Sequence, residues 1–107
     1  MSLHTLQSYA SQALSCTEKM FILAEQQEWD ALGELETDRS ALLDSLFNHP
    51  GLPHMLAKLA NTLRLIIELD QKTIALGENA REALKNEMRL LTQGKKAVDA
   101  YLDSNHQ

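Results

Sequence analysis

The chain holds one cysteine, two prolines, four glycines and only 5% aromatic residues. A lone cysteine, Cys16, excludes an internal disulfide and a cysteine-based zinc site. It reads as a small apolar residue on the first helix. The scarcity of turn-forming and aromatic residues argues against a sandwich or barrel, which needs many turns and β-branched runs. No segment concentrates Lys or Arg and the formal net charge is −5. A direct nucleic-acid or anionic-membrane surface is therefore not expected. Long apolar runs are missing too. The most apolar window, 59–76, carries Arg64, Glu68, Asp70 and Lys72, too many charges for a membrane span. The opening residues include polar Ser2, His4, Thr5, Gln7 and Ser8, unlike a signal peptide. The expected setting is the cytoplasm.

Leucine and alanine at helical spacing fill the remainder. At 107 residues the chain reads as one domain with one core. The fold class expected is all-α: an antiparallel bundle of three long helices at about 3–26, 29–48 and 53–102. A short fourth helix after Gly94 would fit as well. In the first helix Leu3, Leu6, Ala10, Ala13, Thr17, Met20 and Ala24 keep a heptad-like spacing. Tyr9, Leu14, Cys16, Phe21 and Leu23 widen that stripe enough to meet two neighbours. The second helix carries Trp29, Leu32, Leu35, Leu42, Leu43, Leu46 and Phe47 on one side, with Asp30 as its candidate N-cap. The turn-rich run from Asn48 to Pro53 ends it, and Pro53 suits the first turn of the next helix. In the third, apolar or small residues recur from Leu56 through Leu59, Leu63, Ile66, Ile67, Ile74, Gly77, Ala80, Leu84, Met88, Leu91 and Val98 to Tyr101.

Nothing in the pattern assembles a catalytic or metal centre, so neither an enzyme nor a cofactor is expected. His4, His49, His54 and His106 are scattered, with no pair at i, i+4 on one helix face, and read as solvated histidines. Glu78/Glu82 and Arg81/Lys85 read as surface ladders. Trp29, Leu35 and Arg39 are expected to serve the structure. Trp29 packs a corner, and Arg39, inside a leucine stripe, lays its stem on the core with its head in water. An ion pair of Arg39 with Asp70 is the alternative. Gly94 is expected to break or bend the last helix, and Gly77 to admit a close neighbour.

Lengths then matter. Helices of roughly 36 and 28 Å cannot cover a third of about 68 Å at the standard rise. The uncovered apolar residues call for a second copy, a folded-back tail or a client helix.

The stretch Glu28-Trp29-Asp30-Ala31-Leu32-Gly33-Glu34-Leu35-Glu36, with Arg39 and Leu42-Leu43 after it, resembles the start of the second helix in FliT-type flagellar export chaperones. Ile67-Glu68-Leu69-Asp70 and the run from Leu91 to Tyr101, containing Gly94-Lys95-Lys96-Ala97, resemble that family's long helix and terminal motif. The resemblance covers nearly the whole chain in order. It implies a small cytoplasmic helical chaperone that binds the C-terminal segment of the filament-cap protein, prevents premature assembly and aids delivery to the type III export apparatus. It further implies contacts with the export ATPase or export gate, and in some members antagonism of the flagellar master transcription activator. On this reading Leu43, Ile66, Ile67, Asp70, Ile74 and Gly77 bind the client, Arg81 and Lys85 supply rim charge, and Tyr101 meets the export apparatus. Only six residues follow Tyr101, fewer than in members whose C-terminal segment covers the client site. Weak shielding is expected. The competing classes are a helical regulator that sequesters a transcription activator and a structural coiled-coil protein that forms a homodimer.

Overall fold

The computed structural model describes the backbone of residues 2–105; the side chains of Ser2, Leu3, Tyr101, Ser104 and Asn105 lie outside the described residues, as does His106. Three helices follow one another: α1 Ser2–Glu25, α2 Trp29–Phe47 and α3 Leu52–Asn105. Among the described residues there is no strand. The all-α expectation holds, with helix ends within three residues of those read from the sequence. Two compact units result, Met1–Leu76 and Gly77–Gln107.

The first unit is an antiparallel three-helix bundle formed by α1, α2 and residues 52–76 of α3. At one end Leu6 and Ala10 of α1 cluster with Leu46 of α2 and Met55 and Leu59 of α3. Further along, Thr17 of α1 meets Arg39 of α2, which meets Asp70 of α3. Numbers rise together on α1 and α3 and fall on α2, so α2 runs against both. The buried face of α1 is Leu6, Ala10, Ala13, Thr17, Met20 and Ala24, an alternation of four- and three-residue steps. Three of the six are alanines, and small side chains let neighbouring helices approach closely. On α3 the buried side is Met55, Leu59, Ile66 and Thr73. The α2 helix buries only Leu46 fully, while Leu32, Leu35, Leu42 and Leu43 are half-buried.

The connections are tight. After Glu25, the Gln27 N–H donates to the Ala24 carbonyl (3.1 Å) and the Glu28 N–H to the Leu23 carbonyl (2.9 Å). This pair of bonds is a Schellman closure. Gln27 supplies the left-handed residue at φ 60°, a conformation glycine adopts more readily. The expected N-cap at Asp30 is not formed. Glu28 occupies the cap without a side-chain bond, and Asp30 lies inside the first turn. Its carboxylate still favours that end of the helix dipole. Between α2 and α3 the Gly51 N–H donates to His49 Nδ1 at 2.9 Å, so half-buried His49 is a turn-former rather than a free loop histidine. The α3 helix opens at Leu52, which places Pro53 in its first turn, where a missing N–H costs nothing.

Residues 77–105 stay helical throughout. The break expected at Gly94 does not occur, and no separate fourth helix forms. Gly94 has no positive φ, and nothing lies within 4 Å of the place its Cβ would take. A single glycine costs a helix about 1 kcal/mol. The flanking Leu-Thr-Gln and Lys-Lys-Ala, mostly good helix formers, outweigh that.

Candidate client-docking surface

At 100° per residue, the core-facing direction of α3 in the first unit is fixed by Met55, Leu59, Ile66 and Thr73. Ile67 and Ile74, with Leu56, lie about a quarter-turn away on the side that Asp70 shows to be next to α2. They are exposed, Ile67 at 57% and Ile74 at 60%, whereas Ile66 is at 5%. Leu65 and Leu69 lie a quarter-turn the other way, beside α1. There, with Leu14, Phe21, Ile22 and the rim carboxylate of Glu18, they line an open apolar groove of about 340 Å³. The bundle thus leaves two apolar flanks on α3, one beside each neighbour.

A polar tie crosses the bundle between these flanks. Arg39 Nη1 donates to Asp70 Oδ1 at 2.6 Å and to Thr17 Oγ1 at 3.1 Å. The Thr17 hydroxyl in turn donates to the Ala13 carbonyl at 2.8 Å. The side chains of Arg39 and Asp70 are 12% and 31% exposed. Arg39 therefore does not hold its head in water as expected; the alternative pairing with Asp70 is the one formed. The physical reason is an antiparallel register that brings an acid on α3 opposite the arginine, together with a buried hydroxyl on α1. Arg39 Nε and Thr73 Oγ1 are buried without a hydrogen-bond partner.

The remaining expected site residues fall in different places. Leu43 is half-buried and packs on the core cluster. Ile66 belongs to the core, and Asp70 is occupied by Arg39. Gly77, Arg81 and Lys85 belong to the second unit, where Arg81 and Lys85 are exposed. Trp29 opens α2 and remains partly exposed, and Leu35 is half-buried. Tyr101 keeps a helical backbone, its side chain outside the described residues. The groove beside α1 is formed by residues that the sequence reading assigns to the α1 stripe alone, Leu14 and Phe21 among them. Leu14, Phe21 and Ile22 stand at i, i+7 and i+8, the spacing of one helix side, and that is the signal in the sequence.

Among the described residues no three His, Cys, Asp or Glu side chains are grouped to hold a metal ion. Among the described residues no helix is long and apolar enough to cross a membrane. A small helical bundle with apolar flanks left open has the shape that helix-in-groove recognition uses. Comparison with known families makes this particular: the model of the flagellar protein FliT matches residues 7–103, and the chain belongs to the FliT family. That makes it a flagellar protein with a chaperone-like role. No curated protein and no solved structure matches it.

Proposed function

We propose that this chain is a cytoplasmic flagellar export chaperone. It holds the C-terminal segment of the filament-cap protein as an amphipathic helix, keeps it from assembling early and hands it to the export apparatus. The observation that carries the reading is the exposure of Ile67 and Ile74 on one flank of a folded bundle. Fully burying an isoleucine is worth roughly 1.5–3 kcal/mol, so a client covering both gains enough to matter. Leu43 of α2 packs on the core cluster rather than standing free, and the Arg39–Asp70 pair ties α2 to α3 next to that flank. Tyr101 is assigned to the export apparatus, a role in line with the terminal motif of the family.

The test is calorimetric titration with a peptide of the cap protein's C-terminal segment. Ile67→Asp and Ile74→Asp should each weaken binding by about tenfold or more, equivalent to about 1.4 kcal/mol, with unchanged helicity. Ile66→Asp should unfold the bundle, since it places a carboxylate in the core. Unchanged affinity in both exposed-site variants would remove this flank as the docking surface.

A further inference from the structure

The turn between α2 and α3 is built on one histidine. The His49 N–H donates to the Leu46 carbonyl at 3.3 Å, and the His49 carbonyl accepts from the Leu52 N–H at 3.1 Å. The ring then reaches two residues on, where Nδ1 accepts from the Gly51 N–H at 2.9 Å. An amide N–H can only donate, so this bond fixes the protonation state: Nδ1 keeps its lone pair and the imidazole is neutral. The ring also lies over Gly51 itself. A Cβ added there would sit 3.2 Å from both Nδ1 and Cε1 of His49, and 3.5 Å from Cδ1 of Leu6. Leu6 is fully buried and belongs to the core cluster. One small residue thus separates a titratable ring from the end of the core.

We infer that His49 is a proton-sensitive catch on the α2–α3 turn, closed while its imidazole is neutral and released when it is protonated. Protonation places a hydrogen on both ring nitrogens. Nδ1–H and the Gly51 N–H then point at each other, two donors with no acceptor between them. The bond is lost, and the ring, already half-buried rather than enclosed, swings toward solvent. The turn is left to its backbone bonds alone. The direction with pH follows from the form the fold holds. The folded turn resists the proton and the unfolded chain accepts it freely, so unfolding takes up a proton as pH falls. Stability from the catch is therefore present at the alkaline end of the histidine range, about pH 5 to 8, and lost toward the acid end. The titratable groups on the elements around the turn are His4 of α1, Asp44 of α2 and His54 of α3, all exposed. His4 stands two residues from Leu6, on the opposite side of α1. Asp44 is the one anion among them, and solvent screens it. His49 also stands between the C-terminus of α2, whose dipole favours a cation, and the N-terminus of α3, whose dipole opposes one. The two offset each other, which leaves the lost bond to decide. The inference concerns the turn alone and stands apart from the cap-segment reading.

Thermal unfolding of the full-length chain at about pH 8 and about pH 5.5, followed by circular dichroism, tests it against two variants. His49→Asn keeps the bond, since an Asn side-chain carbonyl accepts from the N–H two residues on and does not titrate. His49→Phe keeps a ring and removes the acceptor. His4, His54 and His106 remain in every form, so their titration cancels in the comparison. Between the two pH values the midpoint of the native chain should fall by about 4–8 °C more than that of either variant. At the higher pH the native chain should exceed His49→Phe, and at the lower pH the two should converge. The Gly51 amide proton resonance should move upfield on acidification in the native chain and hold its place in His49→Asn. Equal pH slopes in the native chain and His49→Asn overturn the proposal. So does a Gly51 amide that stays put while the His49 ring titrates.

Discussion

Thr17, Arg39 and Asp70 join three helices through two hydrogen bonds from a single guanidinium nitrogen, and the two ends of this tie are not equivalent. Arg39 is the more buried partner and also carries the unpartnered Nε. Asp70→Asn would leave a nearly buried cation without its counter-charge, a class of change that costs about 3 kcal/mol or more when burial is complete. With Asp70 about a third exposed, a loss of about 2 kcal/mol is expected. Arg39→Met would leave only a carboxylate that water reaches, and would remove the orphan Nε as well. It should cost about 1 kcal/mol or less. Urea melts of the two variants check the order, and a greater loss for Arg39→Met would show that packing of the arginine stem dominates. Thr73 offers a second case. Its buried hydroxyl has no partner, so the isosteric Thr73→Val forfeits no bond and relieves a desolvated group. It should raise stability by about 1 kcal/mol, read from the same melts.

Helix ends and helix glycines set the energetics of the elements. The Schellman closure of α1 forces Gln27 into the left-handed region, which costs a side-chain-bearing residue roughly 1 kcal/mol. Gln27→Gly should therefore stabilise the first unit by about 0.5–1 kcal/mol, despite the greater freedom of glycine in the unfolded chain. Gly33 in α2 and Gly94 in α3 pose the opposite problem: both lie in helix with open space where a Cβ would go. Alanine at either position adds helix propensity of up to about 1 kcal/mol. Gly33→Ala should raise the midpoint of thermal unfolding. Gly94→Ala should raise the helical signal at 222 nm, since the second unit is a helix whose residues 81–100 gain nothing from burial within the chain.

At the level of the whole chain, charge and core are both unevenly divided. Residues 1–76 hold ten acidic and five basic side chains, and residues 77–107 hold five of each. The entire formal charge of −5 therefore sits with the first unit. Its field favours basic partners and weakens with salt over a Debye length of about 8–10 Å. The buried hydrophobic residues, from Leu6 to Ile66, also lie in that unit. A chain ending at Leu76 should consequently keep a cooperative thermal transition. Its midpoint should lie within about 8 °C of the full chain, a shift that corresponds to about 1 kcal/mol for a domain of this size. Loss of cooperativity would mean that residues beyond Leu76 are needed to hold the bundle.

Local periodicity and turn chemistry were enough to determine the three helices and their order. The interval of three or four residues, the Asn48–Pro53 turn and the lack of an internal proline are near-neighbour properties. They also carried the FliT resemblance, because family patterns in helical proteins are largely such spacings in register. What lies far apart in sequence could not be read that way. Arg39 and Asp70 are 31 residues apart and form a pair only because α2 runs against α3 in one particular register. Ile66 and Ile67 are adjacent and chemically identical. A rotation of 100° about the helix axis puts the first in the core and the second in solvent, and where that boundary falls depends on how α1 and α2 pack. Gly94 was a local ambiguity settled by its surroundings: its propensity cost is small, and no left-handed turn follows to end the helix. Sequence specified which residues are apolar and at what spacing, because that is written in the chain; packing chose which of them are covered, because burial is a property of neighbours in space.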